Sequence, residues 1–232
     1  MTLLQLGIGT VNDVVDAPAD AGVKPGKPIP AGIVAAGAAR SLALGCFAAG
    51  LALAWSVAPL VGTLALVVVA IGLVYDLRLK GTAWSWLPFA AGIPLLPVFG
   101  WLGATGGLPS WFLVLVPAAV EAGAALAIGN SIVDVDRDRA AGRTSVAAAL
   151  GRRTAGRLAM GLLVVVWVLD GGSLIGGGAS LGPALVSVAA VAAALASARI
   201  AAKRPGLAER AWQLEAVSLG VAAIAWTIAI AT

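Results

Sequence analysis

Seven apolar stretches dominate the sequence and are the strongest constraint on its fold. They run near 33–54, 57–75, 84–103, 111–131, 158–176, 181–200 and 212–231. Each is about 20 residues long, the length of helix that crosses the hydrocarbon core of a bilayer. Hydrophobic residues make up 60% of the 232 residues and charged residues only 11%, which is far from the composition of a soluble domain. The sequence therefore predicts an all-α, multi-pass transmembrane helix bundle, with residues 1–232 as a single domain in the lipid bilayer.

The N-terminus predicts an additional half-span. Residues 1–11 are largely apolar and lead directly into Asn12. Eleven helical residues reach about 16 Å, which is roughly half of a hydrocarbon core. We interpret this segment as the inner half of a spanning helix whose start is incomplete, so that the chain has seven full spans plus an N-terminal half-span.

Prolines predict two interruptions of helical structure. The third span contains Pro88, Pro94 and Pro97 and is therefore expected to be kinked or broken. Pro18 is expected to end the N-terminal helix between Asp16 and Asp20, which would leave Asp20 on a loop.

The basic residues predict the orientation of the chain in the membrane. When the seven spans are threaded, all but one of the 15 lysines and arginines fall on one face, and the positive-inside rule makes that face cytoplasmic. The net charge of +4 is then a topology signal, and no nucleic-acid partner is expected. The residues on this face are Lys24, Lys27, Arg78, Lys80, Arg137, Arg139, Arg143, Arg152, Arg153, Arg157, Arg199, Lys203, Arg204 and Arg210.

The rare residue types exclude several kinds of chemistry. The chain has no histidine, which excludes Ser–His–Asp triads and histidine-ligated metals or haem. Its single cysteine excludes an internal disulfide and a cysteine-rich metal site. Carboxylates, amides, cations and a hard metal ion remain as the candidate chemical groups.

Six of the eight aspartates fall in two short windows, each at the predicted cytoplasmic end of a span. The first acidic window is residues 12–20 and the second is residues 134–138. Asn12, Asp16 and Asp20 are four residues apart, as are Asp134 and Asp138, so each set shares a helical face. Like charges at this spacing repel each other unless a cation binds. Mg²⁺ suits such sites because it takes one or two carboxylates and completes its shell with water and phosphate oxygens.

Basic residues lie close to both acidic windows. Carboxylates that hold a metal, together with converging cations, form a site for a diphosphate group, and the apolar helices behind them offer room for a long apolar tail. The cations more distant from the windows, such as Arg152, Arg153, Lys203 and Arg204, are interpreted as a topology signal only. The cations assigned to the diphosphate are Lys24, Lys27, Arg78, Lys80, Arg137 and Arg143.

Four segments together resemble the UbiA-type intramembrane prenyltransferases. Residues 12–20 (NDVVDAPAD) fit the NDxxDxxxD motif of that family, and residues 27–32 (KPIPAG) resemble the RPIPSG segment that follows it. Residues 75–80 (YDLRLK) are similar to the family's tyrosine-plus-basic loop. Residues 134–142 (DVDRDRAAG) resemble its second acidic motif. These segments occur in the family's order along nearly the whole chain.

The resemblance implies a fold of nine spans around a chamber that faces the lipid, so the chain is expected to lack about one and a half spans at its N-terminus. It implies transfer of a prenyl group from a prenyl diphosphate to an aromatic or other lipophilic acceptor. Mg²⁺ would be the cofactor, held by Asn12, Asp16, Asp20, Asp134 and Asp138. Arg78 and Lys80 would hold the diphosphate. Of the catalytic residues Asp16, Asp134, Asp138 and Tyr75, the tyrosine would line the site near the cleaved bond.

The mechanistic hypothesis is ionisation of the donor to an allylic carbocation, which the acceptor then attacks. Two alternatives remain open: an ion-coupled membrane transporter, and a truncated, inactive homologue that acts as a membrane scaffold. The acceptor class is also open, because quinone precursors, tetrapyrrole alcohol esters and glycerol lipids all fit the motifs.

Overall fold

The structure, a computed structural model, describes residues 1–22, 24, 26–176 and 178–231, and throughout these ranges it contains helices and no strands. A short π-helical turn, Tyr75–Leu79, follows the third helix, and a 3₁₀ turn at Pro205–Leu207 precedes the last helix. The helices are α1 (Thr2–Asp20), α2 (Ala36–Val57), α3 (Pro59–Val74), α4 (Leu87–Thr105), α5 (Phe112–Ala140), α6 (Val146–Leu150), α7 (Arg152–Gly176), α8 (Leu181–Lys203) and α9 (Ala208–Ala231).

Seven helical segments of the described chain are long and apolar enough to cross a membrane, which confirms the predicted number and positions of the full spans. They coincide with α2, α3 with the π-helical turn, α4, α5, α7, α8, and α9 with the turn before it. α1 is not among them, and the half-span stays a prediction.

The chain divides into two compact units. Unit 1 comprises Met1–Lys80 and Leu95–Leu108, and unit 2 comprises Gly81–Pro94 and Pro109–Thr232. The first acidic window lies in unit 1 and the second in unit 2. The organisation as a single domain stays a prediction, and each unit is described by itself below.

In unit 1, α1 packs closely against α2 because glycines on both helices admit large side chains. A Cβ atom on Gly7 would lie 2.5 Å from the Phe47 ring, and one on Gly50 would lie 2.5 Å from a methyl carbon of Leu4. Leu4 is fully buried in a core with Ala54, Val61 and neighbouring apolar residues of α3. This packing fixes the position of α1 and hence of the acidic window at its end.

The expectation that Pro18 breaks the first helix is wrong. α1 continues through Pro18 to Asp20, and Asp20 is buried at the end of the helix rather than on a loop. Proline removes only one backbone hydrogen bond, here to the Val14 carbonyl. Only two further residues follow Pro18 in the helix, so few helical bonds depend on the distorted turn.

The third span is likewise helical over its full length, Leu87–Thr105, so its prolines do not break it. Pro88 stands at the second position of α4, where its missing N–H group would have no helical partner. Pro94 and Pro97 lie inside the helix, where a lipid-embedded segment tolerates proline better than a soluble one does.

In unit 2, small residues allow the long helices to approach closely. α5 packs against α7, and α8 packs against α9, through a fully buried cluster that includes Ala125, Leu163, Val191 and Ala194. Close backbone approach replaces the hydrophobic effect as the main source of helix association in lipid. The second acidic window extends from this packed part of α5.

Two carboxyl groups on α7 and α9 of unit 2 are buried among the helices. Asp170 on α7 accepts a 2.6 Å hydrogen bond from the Ser187 hydroxyl on α8. Glu215 on α9 is fully buried, and neither of its carboxylate oxygens has a hydrogen-bond partner within the described part of the chain. Such a group destabilises the fold unless it is compensated, and sequence reasoning did not single out Glu215.

A close approach of two backbone segments at Gly123 in unit 2 gives a test of the packing. A Cβ atom on Gly123 of α5 would lie 2.6 Å from the Phe89 carbonyl oxygen, and backbone cannot move aside as a flexible side chain can. Gly123→Ala is therefore expected to destabilise the protein by about 1–3 kcal/mol. The measurement is the midpoint of thermal unfolding in detergent.

Gly161→Ala on α7 is the matched control, because a Cβ atom there meets nothing within 4 Å. It is expected to leave the midpoint unchanged or slightly raised. Equal stability of the two variants would contradict the close contact between α5 and the Phe89 backbone.

Candidate functional site

The first acidic window forms the last two turns of α1, so Asn12, Asp16 and Asp20 share one face of a helix as predicted. The Asn12 amide donates a 2.6 Å hydrogen bond to Oδ1 of Asp76, a residue of the π-helical turn. Asp76 is only 4% exposed, and its Oδ2 has no hydrogen-bond partner among the described residues. Asp76 therefore fixes the orientation of Asn12 and leaves one buried carboxylate oxygen next to it.

Lys80 joins the π-helical turn to the same face of α1. Its Nζ lies 2.5 Å from Oδ2 of Asp16 and 5.9 Å from the centre of the Tyr75 ring. The Lys80 N–H group donates a 2.9 Å hydrogen bond to the Tyr75 carbonyl five residues earlier, which is the pattern that defines a π-helix. This wider turn stacks Lys80 over Tyr75, so the predicted tyrosine, lysine and aspartate lie together. Arg78, on the same turn, is exposed.

The remaining acids of the first window are paired with lysines of the following loop. Nζ of Lys24 lies 2.8 Å from Oδ1 of Asp20, and Lys27 forms an ion pair with Asp13. The hydrogen bond to Lys24 holds the pKa of the Asp20 carboxyl below its usual value, although burial acts in the opposite direction. The hydrogen bond to Asp13 raises the pKa of the Lys27 ammonium. The Asp20 carboxyl group and the Lys27 ammonium group are therefore each held in the charged form.

The donor set in unit 1 fits Mg²⁺. Asn12 and Asp16 present an amide and a carboxylate one turn apart, and the unpartnered Oδ2 of Asp76 supplies a third hard oxygen nearby. Within the described residues no group of three or more acids converges into a closed metal cage. A Mg²⁺ ion that keeps several waters and binds phosphate oxygens does not need such a cage.

In unit 2, α5 carries the second acidic window at its C-terminal end. The helix has 29 residues and is about 43 Å long at 1.5 Å per residue, so it extends beyond a hydrocarbon core of about 30 Å. Asp134 and Asp138 lie one turn apart on it. Asp138 is 8% exposed, and Oδ1 of Asp134 lies 2.9 Å from Nη2 of Arg137. The window thus keeps a polar, cation-flanked face at the end of an apolar helix.

Arg143 approaches Asp138 from the loop after α5. The Arg143 N–H group donates a 2.8 Å hydrogen bond to the Asp138 carbonyl, and its Nη1 lies 3.9 Å from Oδ1 of that residue. The loop is held in place because the Thr144 N–H group donates to the Gly81 carbonyl at 3.0 Å. Gly81 has a φ of 74°, a conformation that glycine adopts without strain, and a Cβ there would lie 3.2 Å from the Arg143 side chain.

Asp136 lies apart from the other two acids of this window. Its side chain is 81% exposed, and its Oδ2 lies 3.2 Å from Nη2 of Arg152. Asp136 thus lies on a different face of α5 from Asp134 and Asp138, because residues two apart in a helix do not share a face.

Within each unit the predicted residues lie together. Unit 1 brings together Asn12, Asp16, Tyr75 and Lys80, and unit 2 brings together Asp134, Arg137, Asp138 and Arg143. Their roles as ligands or catalytic groups stay predictions. Sequence reasoning missed the contact that Asp76 makes with Asn12. The available signal was a single acid at the end of an apolar span, directly after Tyr75.

Comparison with known proteins agrees with the resemblance found in the sequence. The UbiA prenyltransferase family model matches residues 1–219. The digeranylgeranylglyceryl phosphate synthase of Methanopyrus kandleri is 31% identical over 171 residues, covering 70% of this chain and 60% of the relative. The chain thus matches less than two thirds of the length of that relative.

Solved structures of UbiA homologues share the fold. The apo homologue from Aeropyrum pernix K1 aligns with a TM-score of 0.77 at 19% identity, covering 96% of this chain and 84% of the other. The homologue from Archaeoglobus fulgidus, bound to DMAPP and Mg²⁺, aligns with a TM-score of 0.69 at 19% identity, covering 98% and 87%. The family match, together with the seven apolar helices of the described chain, identifies an integral, multi-pass membrane protein.

The fit to Mg²⁺ can be tested without turnover. We expect Mg²⁺ with inorganic pyrophosphate to raise the thermal unfolding midpoint, because a ligand at a hundredfold excess over its Kd stabilises the folded state by about 2.7 kcal/mol. Asp16→Asn removes a carboxylate of the first window and is expected to abolish most of this rise. The measurement is thermal unfolding in detergent, with and without the two ligands.

Asp136→Asn is the matched control, because Asp136 is exposed and off the shared face. It is expected to keep the full rise. If Asp16→Asn and Asp136→Asn respond alike, Asp16 is not a ligand of the metal–pyrophosphate complex.

Proposed function

Because the chain belongs to the UbiA prenyltransferase family, we propose that it is a membrane prenyltransferase that moves a prenyl group from a prenyl diphosphate to a lipophilic acceptor, with Mg²⁺ as cofactor. The observation that carries the proposal is the cluster in unit 1, in which Asn12 and Asp16 meet Asp76 and Lys80 at the end of apolar helices. Metal-binding oxygens and an ammonium group on one helix face and the turn beside it suit a diphosphate that arrives with its metal ion.

The roles follow from the chemistry of each group. The proposed Mg²⁺ ligands are Asn12, Asp16 and Asp20 of the first window and Asp134 and Asp138 of the second. Asp76 is added as a positioning residue because it accepts the Asn12 hydrogen bond. The cations proposed to hold diphosphate oxygens are Lys24, Lys27, Arg78, Lys80, Arg137 and Arg143.

The ion pairs support this assignment because they are exchangeable. Lys24 and Lys80 now neutralise Asp20 and Asp16, two of the proposed ligands. A divalent cation held by those carboxylates would take over that neutralisation. The two ammonium groups would then be available for the oxygens of the diphosphate, beside Lys27, which stays paired with Asp13.

The reaction proceeds by ionisation of the donor. The bond between the first prenyl carbon and the diphosphate oxygen breaks, and its electron pair leaves on the diphosphate, where bound cations stabilise the new charge. When bound, Mg²⁺ supplies Lewis-acid stabilisation of the same oxygens. Tyr75, stacked beneath Lys80, lines the site beside the bond that breaks. The acceptor then donates an electron pair to the allylic carbocation and releases its proton to a carboxylate or the diphosphate.

Among the three open acceptor classes we favour a glycerol lipid that carries phosphate, because similar proteins from three archaea are each named digeranylgeranylglyceryl phosphate synthase. The donor chain length stays open.

We also propose that the acidic windows and basic loops face the cytoplasm, since the basic residues cluster beside the acids along the sequence.

Acid-to-alanine variants test the proposed chemistry. Asp16→Ala and Asp134→Ala are each expected to lower prenyl transfer by at least about 100-fold, the effect of removing one group that stabilises developing charge. Both proteins should still insert into membranes, since the acids lie at helix ends. The measurement is mass spectrometry of products from membranes given Mg²⁺, a panel of prenyl diphosphates, and acceptors that include a prenylglyceryl phosphate.

Asp136→Ala is the control and is expected to retain activity. Full activity of both acid variants would reject the site.

Saturable ion-coupled uptake into vesicles without any prenylated product would reject the proposed function in favour of a transporter. No product and no effect of Mg²⁺ with a prenyl diphosphate analogue on thermal stability would favour the inactive scaffold.

A further inference from the structure

A basic groove lies between α7 and α8 in unit 2, and its lining contains no residue of the second acidic window. It encloses about 640 Å³ and is lined by four cations, two from each helix. Arg153 and Arg157 lie one turn apart at the start of α7, and Arg199 and Lys203 lie one turn apart at the end of α8. We define these four residues as the α7–α8 cation groove.

The floor of the groove is formed by small residues. A Cβ atom on Gly156 would lie 2.4 Å from the Cβ of Ala202, so the two helices touch at this point without large side chains between them. The two arginines of α7 flank Gly156 in the sequence, and the two cations of α8 flank Ala202. The result is a cleft with an uncharged floor and cationic walls.

The charge of the groove is not neutralised within the described part of the protein. None of its four cations has a carboxylate within ion-pair distance there, whereas Lys24, Lys27, Lys80, Arg137, Arg143 and Arg152 each have one. Four like charges around one cleft repel each other, and an anion between them removes that repulsion. The start of α7 adds the positive end of a helix dipole to the same side.

The groove also lies where lipid headgroups are found. α7 and α8 are both long and apolar enough to span a membrane, and the four cations lie within the first two turns of α7 and the last two turns of α8. Met160 continues the lining toward the apolar part of α7. Farther along that helix, Val164, Trp167 and Val168 are between 44% and 58% exposed, which offers an apolar surface for acyl chains.

We propose that the α7–α8 cation groove binds the headgroup of an anionic phospholipid from the surrounding bilayer, with its acyl chains against the exposed apolar face of α7. Basic pockets between transmembrane helices at the membrane surface suit such headgroups. Four cations favour a headgroup with two phosphodiester groups over one with a single phosphate, since guanidinium groups bind phosphate oxygens in pairs.

Native mass spectrometry of the purified protein with added lipids tests the proposal. We expect cardiolipin, which has two phosphodiester groups, to stay bound more strongly than phosphatidylglycerol, and phosphatidylcholine to show no retention. The double variant Arg157→Gln/Arg199→Gln is expected to weaken cardiolipin binding roughly 30-fold, because each cation near a lipid phosphate contributes about a fivefold effect.

The double variant Arg204→Gln/Arg210→Gln is the matched control. It removes two exposed cations that follow the groove in sequence but do not line it, and it is expected to bind cardiolipin as the unaltered protein does. If cardiolipin binding weakens equally in both double variants, the effect comes from the net charge of the protein, and the proposal is overturned.

A second arm separates lipid from free anion. Inorganic phosphate and pyrophosphate at millimolar concentration are expected to leave bound cardiolipin in place, because neither provides acyl chains for the apolar face. Displacement of the lipid by either ion, or unchanged binding in Arg157→Gln/Arg199→Gln, would overturn the proposal. The readout is binding alone, so it does not depend on prenyl transfer.

Discussion

A helix in lipid carries charge only near its ends or against a partner, because an isolated ion in a hydrocarbon medium has lost its hydration. This constraint determines where chemistry is possible in the chain. The acids of the first window occupy the last two turns of α1, and each aspartate there has a lysine partner. Asp76, just inside its span, accepts a hydrogen bond from Asn12 instead.

The ion pairs between lysines and aspartates also prepare the cluster for a metal ion. A lysine that neutralises a carboxylate occupies the position that a metal ion takes when it binds to the same oxygen. The change from the lysine-paired to the metal-bound carboxylate requires only a small movement of the lysine side chain, since that side chain has four rotatable methylene groups. A cluster of paired acids and lysines is therefore already organised for a divalent cation and an anionic diphosphate, and it avoids unbalanced charge before they arrive.

Much of this arrangement is predictable from the sequence because it depends on period and composition. Apolar runs of about 20 residues fix the number of spans, and the four-residue spacing of the acids places Asn12 with Asp16 and Asp134 with Asp138 on shared faces. The effect of Pro18 on α1 was predicted wrongly. The free-energy cost of a proline in a helix depends on how many helical hydrogen bonds follow it, and only two residues follow Pro18 in α1. Pairings between distant segments, such as Asn12 with Asp76, depend on tertiary packing that no local pattern records.

The π-helical turn shows most clearly why the contacts of this segment could not be predicted from the sequence alone. In an α-helix, the Lys80 N–H group would donate to the Asp76 carbonyl four residues earlier; here it donates to the Tyr75 carbonyl five residues earlier. The extra residue per turn changes the direction of every side chain that follows. It stacks Lys80 over Tyr75 and allows its ammonium to meet Asp16 while Asp76, on the same turn, meets Asn12. The spacing of basic residues after Tyr75 therefore does not by itself tell which one meets the acids of α1. A change in the local helix type moves that role between neighbouring positions without any change in composition.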